Sequence, residues 1–287
     1  MMMPENYLPQ RIVSLQPSIT VTMRDLGLVH RLAACTRYCA DVCPEIRQTG
    51  CVIVEDSWTA KAEQILVVQP DLILASVPYQ MESLAEIMKT GVPCLCLSPK
   101  SLADVYRDIL HIARIVSSEE PGIVEKRGLA LVESMRYEIA EVRRKTQNTE
   151  KLLVYCEEWG KPLLLSQSWV AELVETAGGR FFGIPGKQTT KEEVVAADPD
   201  VIVASWCGAG DRVPLEKIIA QRKWEQTKAA QNGRVYCIDD EFLNTPASPL
   251  IKGLHALAAA MHPEMFALEK GLRRIQPSCV ATNGPED

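Results

Sequence analysis

The chain has 287 residues, of which 47% are hydrophobic and 24% charged, and its formal net charge is −6. This length suggests about two domains, and the composition is ordinary for a globular protein. The acidic balance argues against a nucleic-acid partner. The sequence also lacks an apolar run of the ~18 residues that a membrane-spanning helix needs, so we expect no membrane-embedded segment.

The N-terminus and the cysteines indicate the cellular compartment in which the protein works. Residues 1–10 lack the basic and apolar segments of a secretory signal, so we expect a cytoplasmic protein, and a periplasmic one only if a leader was removed. The ten cysteines are then expected to be reduced thiols. Cys94, Cys96, Cys156 and Cys237 lie in apolar runs, which predict small buried side chains.

Short apolar runs alternate with amphipathic segments in the first part of the chain. Predicted strands cover residues 11–15, 32–35, 72–75 and 93–97. Predicted helices cover residues 18–26, 59–69, 82–89 and 101–115. This alternation predicts a mainly parallel sheet with right-handed crossovers.

Residues 119–147 predict one long helix. An apolar stripe along one face is formed by residues that recur at steps of three and four, namely Val124, Gly128, Leu131, Met135, Ile139 and Val142. A helix of this length spans ~43 Å, about the width of a domain. Such a helix is either a coiled-coil arm or a strut between two bodies. The stripe does not repeat beyond this segment, which favours the strut.

The last part of the chain repeats the plan of the first. Predicted strands cover residues 151–155, 201–204 and 234–238, and predicted helices cover 169–176, 191–197, 214–221 and 249–261. The fold class is therefore α/β, with two Rossmann-like lobes of mainly parallel sheet bridged by one long helix. We expect an N-terminal lobe at 10–117, the bridging helix at 118–148, a C-terminal lobe at 149–270 and a disordered tail at 271–287.

Two segments support a shared origin of the lobes. Residues 64–76 and 193–205 align without a gap and share Pro70/Pro199, Asp71/Asp200 and three further identities. Each segment predicts a helix, a Pro-Asp turn and a buried strand. Convergence of two α/β units is the alternative, but thirteen ungapped positions favour two similar lobes.

Candidate ligand contacts follow the predicted strands. Ligands of open α/β sheets bind beyond the carboxyl ends of the strands, so two lobes on a strut predict a cleft between those edges. Aromatic side chains there suit a large, flat, partly apolar ligand, unless each packs against its own lobe. The candidate aromatic walls are Tyr38, Trp58, Tyr79, Trp169, Trp206 and Phe242. Cys39 and Cys207 are the candidate polar or metal-facing groups.

Metal and catalytic sites are less well supported. We assign no metal site, because the paired Cys-x2-Cys spacing of zinc sites is absent. Cys35, Cys39 and Cys43 follow one another with three residues between each pair and are the candidates for an iron–sulfur cluster or a soft metal. A phosphate-binding Gly-rich loop and a Ser-His-Asp arrangement are also missing. We therefore expect a binding protein and not an enzyme.

Several motifs carry a family resemblance. The segments 11–18, 64–76, 168–179, 232–236 and 246–249, together with the long helix, resemble the cobalamin and ferric-siderophore binding proteins of ABC importers. Over residues 10–267 the chain looks most similar to a branch without signal peptides that is usually called cobalamin-binding. The resemblance implies two α/β lobes bridged by a helix, and a bound corrinoid as the ligand with no other cofactor required.

The resemblance leaves two alternatives for function and one question about partners. Haem and ferric siderophores share the scaffold, and a cytoplasmic metal-cluster or redox protein that uses Cys35, Cys39 and Cys43 is the second alternative. Importer-bound relatives dock through one acidic residue on each lobe. Glu63 matches the first position, but Leu243 and Asn244 stand near the second, so docking onto an ABC permease is doubtful.

Overall fold

The computed structural model describes residues 8–55, 61–77, 81–117, 122–267 and 270–276. These residues divide into two compact units. The first unit contains the described residues up to Arg136 together with Pro246–Ser248, and the second contains Tyr137–Thr245 and the described residues from Pro249 onward. The boundary between the units lies inside the long helix, within the segment 118–148 that the sequence predicts as a bridge.

The first unit is a parallel sheet with helices on both faces. Its strands are β1 (Ile12–Ser14), β2 (Leu32–Thr36), β3 (Val52–Val54), β4 (Leu72–Ser76) and β5 (Cys94–Leu97). Its helices are α1 (Pro17–Asp25), α2 (Arg37–Val42), α3 (Ala62–Leu66), α4 (Met81–Lys89), α5 (Leu102–Ile115) and the first part of α6 (Ile123–Thr146). Among the described residues the strand order is β3-β2-β1-β4-β5. The chain moves outward in opposite directions from β1 and β4, so the topological switch point lies between them.

Both faces of this sheet are buried. Ile12 and Leu74 pack into one apolar cluster with α1, α5 and Val124 of α6, whereas Val13 and Ile73 pack into a second cluster with α3 and α4. Neighbouring residues of one strand point to opposite faces, so a strand with helices on both sides reads as a continuous apolar run. This is why runs such as residues 72–75 could be assigned as strands from the sequence.

The long helix α6 has the predicted apolar stripe. Val124, Met135, Ile139 and Val142 are each at most 8% exposed. Gly128 lies against α5, where a Cβ atom would fall 2.8 Å from the Cβ atom of Ala113. The structure confirms the helix, which runs over Ile123–Thr146, while residues 118–121 lie outside the described residues.

The second unit is a mixed sheet with a parallel centre. Its strands are β6 (Leu152–Gly160), β7 (Leu163–Leu165), β8 (Gly179–Phe181), β9 (Val201–Ala204), β10 (Val235–Ile238) and β11 (Leu272–Arg274). Its helices are the rest of α6, α7 (Ser168–Thr176), α8 (Lys191–Ala197), α9 (Leu215–Arg222), α10 (Lys228–Gln231), α11 (Asp240–Asn244) and α12 (Leu250–Met261). β6 pairs in parallel with β8 and β9, and only β7 and β11 run antiparallel among the described strands. The prediction of an α/β protein with mainly parallel sheets is confirmed.

The two repeated segments have the same local geometry. The Asp71 carboxylate accepts hydrogen bonds from the backbone N–H groups of Gln10 and Arg11 ahead of β1, and Asp200 accepts one from Leu153 in β6. Gln69 and Asp198, the residues before the two Pro-Asp pairs, both have positive φ angles, of 45° and 50°. Each aspartate therefore ties the start of its own strand to the neighbouring central strand.

Other parts of the fold differ from the sequence analysis. Residues 37–42 form α2, where a loop was expected, because Thr36 caps the helix by accepting a hydrogen bond from the Cys39 N–H. β11 occupies part of the segment that was assigned to a disordered tail, and it pairs with β10. Cys94 and Cys96 are exposed because β5 is an edge strand, so the expectation that both are buried is wrong. Among the described residues, none of the helices is both long and apolar enough to span a bilayer.

Candidate functional site

A buried carboxylate organises the carboxyl edge of the second unit. Glu157, near the end of β6, is fully buried and receives hydrogen bonds of 2.6 and 2.9 Å from the guanidinium of Arg222. The Tyr155 hydroxyl and the Trp206 indole N–H also donate to this carboxylate, the latter at 2.6 Å. A buried charge is tolerated only when such partners replace the water it has lost.

These contacts fix the indole of Trp206. Trp206 follows β9, and its ring lies so close to Gly160 of β6 that a Cβ atom there would be 2.3 Å from Trp206 Cζ2. Arg222 also donates to the Gly160 carbonyl oxygen at 3.2 Å. Trp206 therefore stands as a half-buried aromatic group at the switch point between β6 and β9, with its orientation set before any ligand arrives.

A set of polar side chains lies at the same carboxyl edge of the sheet, and two of them are next to Glu157 and Trp206 in the sequence. Glu158 accepts a hydrogen bond of 2.8 Å from the amide of Gln167, and its other carboxylate oxygen lies 3.9 Å from the Cys207 sulfur. The Asn244 amide donates to the Ser205 carbonyl oxygen at 2.8 Å and to the Cys207 sulfur at 3.3 Å. This polar set, made of Glu158, Gln167, Cys207 and Asn244, combines donors and acceptors from four different elements or loops.

Burial shifts the pKa values in this region upward. Desolvation raises the pKa of Glu158, although its hydrogen bonds to Gln167 and Cys207 act in the opposite direction. Desolvation and the carboxylates of Glu158 and Asp240 raise the pKa of the Cys207 thiol. Asp240 accepts hydrogen bonds of 2.7 Å from the backbone N–H groups of Gly208 and Gly210, which hold the loop after Cys207. The Cys207 thiol therefore stays protonated near neutral pH and acts as a hydrogen-bonding group.

The first unit has a small recess at its own switch point. Ser18 and Thr22 of α1, Ser76 of β4 and Asp108 of α5 are among the residues that line it. The recess has room for about one water molecule. It lies beyond the carboxyl end of β4, where the topology of this sheet predicts ligand contacts.

Asp108 is the unusual group of this recess. The residue is only 8% exposed, and its Oδ2 atom has no hydrogen-bond partner within the described part of the chain. Burial raises the pKa of Asp108 to about 6, while Arg107 lowers it and Asp104 raises it by smaller amounts. A buried, unsatisfied carboxyl group destabilises the fold when it is charged.

Those candidate residues of the first unit that the structure describes are not brought together at an exposed surface. Tyr38 is 40% exposed on α2, and the Arg37 guanidinium lies 4.7 Å from its ring centroid. Cys39 is fully buried, with its sulfur 3.1 Å from the Thr36 hydroxyl. Cys35 and Cys43 are buried with it in the apolar core. Within the described ranges, no three His, Cys, Asp or Glu side chains are grouped to hold a metal ion.

The remaining candidates differ in exposure. Trp169 and Phe242 are 6% and 8% exposed, and the Trp169 indole donates to the Leu243 carbonyl oxygen at 2.9 Å, so both rings pack within their own unit. Trp206 is half-buried and Cys207 is exposed. Trp58 and Tyr79 lie outside the described residues.

Sequence reasoning missed the groups that orient Trp206. Glu157 and Arg222 are 65 positions apart, and their partnership has no spacing signature. The available signal was an acidic residue inside the apolar run of β6, since a charge in a buried strand needs a partner. The same reasoning would have singled out Asp108, which stands on the apolar side of the amphipathic helix α5.

Comparisons with known proteins identify similar chains. The family described as periplasmic binding protein matches residues 12–242. An uncharacterized ABC transporter substrate-binding lipoprotein of Bacillus subtilis, YvrC, is 25% identical over 90% of this chain and 82% of its own length. A vitamin B12-binding protein of Vibrio parahaemolyticus is 24% identical over 83% of this chain and 84% of its own. The structure of a periplasmic heme-binding protein from Pseudomonas aeruginosa has a TM-score of 0.78 and 21% identity, over 94% of this chain and 99% of its own.

The comparisons correct the expected location. The matching family and the heme-binding protein are periplasmic, and the Bacillus subtilis protein is a lipoprotein. The prediction of a cytoplasmic protein is therefore wrong, and these relatives indicate a place of action outside the cytoplasm.

Proposed function

The chain belongs to the periplasmic-binding-protein family, and from that premise we propose that its ligand is a corrinoid of the cobalamin type. Proteins of this family are substrate-binding proteins of ABC importers, with ligands that include vitamin B12 and haem in the relatives found. The corrinoid would be cargo and not a resident cofactor. We further propose that the protein works outside the cytoplasm and catalyses no reaction.

The observation that carries the choice of ligand is the polar set at the same sheet edge as Trp206. Its exposed edge offers carboxyl, amide and thiol groups, all of which can exchange hydrogen bonds with neutral amides. A corrinoid has a broad apolar ring bordered by amide side chains, so the Trp206 indole suits its face and the polar set suits its rim. The Arg222 guanidinium at this edge is already neutralised by Glu157, which leaves it unavailable to an anionic ligand.

Haem is the second candidate, because one further cation lies nearby. Arg212 is exposed on the loop that follows Cys207, and its Nε atom donates to the Ala209 carbonyl oxygen. A guanidinium at this position suits a ligand that carries carboxylates, such as the propionates of haem. Arg212→Gln is expected to weaken the binding of haemin and to leave the binding of a neutral corrinoid unchanged.

We propose that the protein docks onto an ABC permease. The acidic pair through which importer-bound relatives dock is not matched on the second unit. Leu243 is fully buried, and Asn244 uses its side-chain amide within the second unit. A permease contact on this unit would therefore rest on other side chains. Reconstitution with an importer and measurement of its ATPase rate, with and without Glu63→Ala, would test how much the first unit contributes.

The proposal is tested by titrating the purified protein with cyanocobalamin, cobinamide and haemin. Tryptophan quenching and the visible spectrum of the ligand are followed together. We expect saturable one-to-one binding of the corrinoids, and roughly fivefold weaker binding for Trp206→Leu, since an aromatic contact contributes about 1 kcal/mol. Tyr137→Leu, which replaces an exposed ring on α6, is the matched control. Folded protein that binds haemin but neither corrinoid would overturn the choice of ligand.

A further inference from the structure

Four cysteines of the first unit share one apolar core. Cys35, Cys39 and Cys43 are fully buried in it, and Cys51 packs against them from a half-buried position. Cys35 belongs to β2, and Cys51 immediately precedes β3, whose Val52 pairs with Ala34. Their thiols therefore come from neighbouring strands of one sheet, although they are sixteen positions apart in the sequence.

The contacts distinguish the four thiols. The Cys35 thiol lies within interaction range of the thiols of both Cys51 and Cys39, in the core cluster that all three share. Cys39 has further partners, since Thr36 donates to its sulfur at 3.1 Å and its thiol donates to the Ser14 carbonyl oxygen at 3.8 Å. The Cys43 sulfur lies 3.8 Å from the Arg24 guanidinium.

Exposure then selects one thiol for reaction. Of these four cysteines, only Cys51 is partly accessible, whereas the other three have no exposed surface. An oxidant in solution therefore meets Cys51 first, and the partner within contact of Cys51 is Cys35.

We propose that Cys35 and Cys51 are a redox pair that closes to a disulfide when the protein meets an oxidising disulfide. The Cys51 thiolate attacks one sulfur of a small or protein disulfide, which forms a mixed disulfide and releases one thiolate. The Cys35 thiol then attacks the Cys51 sulfur and passes its proton to the second departing thiolate. Two cysteine thiols are oxidised, and one external disulfide is reduced to two thiols.

Local chemistry and location both support this reaction. The hydrogen bond from Cys35 lowers the pKa of the Cys51 thiol, which favours the thiolate that attacks. Compartments outside the cytoplasm allow disulfides to persist. The reaction does not depend on the identity of the ligand, so its test and the ligand titration can succeed or fail independently.

Closure would tie the segment between β2 and β3 at both ends. This segment carries α2, including Tyr38, and a short 3₁₀ helix at Pro44–Gln48. A disulfide that closes a loop of about 15 residues constrains the unfolded chain enough to raise the Tm of a domain this size by roughly 5–10 °C. An unstrained disulfide requires the Cα atoms of Cys35 and Cys51 to approach to about 6 Å. The full rise in Tm therefore depends on a small movement of Cys51.

The experiment maps the cross-link in the full chain. Reduced protein is incubated with oxidised glutathione, alkylated with iodoacetamide and digested with trypsin. Trypsin places Cys35 in peptide 32–37, Cys39 and Cys43 together in 38–47, and Cys51 in 48–61. We expect peptide 32–37 to be linked to peptide 48–61, together with the rise in Tm.

Two variants complete the test. Cys51→Ser is expected to lose both the cross-link and the rise in Tm, whereas Cys94→Ser, at an exposed thiol of β5, is expected to keep both. A link between peptides 32–37 and 38–47 would assign the partner of Cys35 to Cys39 and overturn the proposal. Full alkylation of Cys35 after oxidation, or a stable glutathione adduct on Cys51, would overturn it as well.

Discussion

Replacing Asp108 by asparagine should stabilise the protein at neutral pH. The carboxyl group is buried and lacks a partner for Oδ2, which raises its pKa from 3.8 to about 6. A folded-state pKa above the unfolded value means that the folded protein binds more protons between about pH 4 and pH 6. Stability is therefore lost as the pH rises through this window. A difference of two pKa units corresponds to about 3 kcal/mol.

Urea unfolding of the wild type and Asp108→Asn at several pH values would measure this effect. The two proteins should be equally stable near pH 4, and the variant should become more stable by up to about 3 kcal/mol above pH 7. Asp104→Asn is the matched control on the same helix. Backbone hydrogen bonding from Lys100 lowers the pKa of Asp104, so that variant should lose stability at high pH. A less stable Asp108→Asn at pH 8 would refute the reasoning and indicate an unseen partner for the carboxylate.

Two further predictions concern the buried network of the second unit. Arg222→Met should destabilise the protein by about 3–5 kcal/mol because the Glu157 carboxylate stays buried without its cation. Adding Glu157→Gln to Arg222→Met should recover part of the lost free energy of unfolding, measured in urea. If nothing is recovered, the destabilisation by Arg222→Met is assigned to packing. Gly160→Ala should displace the Trp206 indole, because the new Cβ atom would meet its ring. Gly160→Ala should then alter the tryptophan emission in the wild-type background but not in the Trp206→Phe background. An equal alteration in both backgrounds would show that the Trp206 ring had not moved.

The sequence was most informative where one strand or helix carries its own pattern. The apolar stripe of α6 and the runs of β4 and β9 could be identified because a buried face repeats at the period of the element. β3 and β11 have three residues each, which is too short for a period to appear. α2 was missed because its single turn and a half depends on the Thr36 cap and on burial of Cys39, which are tertiary effects.

The candidate site was less predictable than the fold. Topology directed attention to the residues that follow the strands, including Trp206 and Cys207. Whether an aromatic ring there faces solvent or packs inward depends on contacts far along the chain, such as the bond between Trp169 and Leu243. The position of an element shows which residues lie at an edge, but packing decides which of them stay accessible.

The return of Pro246–Ser248 to the first unit affects how the protein is made. Ala247 is fully buried in the core cluster of that unit, and the Ser248 hydroxyl donates to the Asp25 carboxylate. Roughly 110 residues separate this segment from the rest of its unit, which at a synthesis rate of about 5–20 residues per second is a delay of roughly 5–20 s. During that interval the nascent first unit has an unfilled position in its core. A truncated chain that ends near Arg136 would keep this vacancy permanently, so the first unit is poorly suited to expression alone.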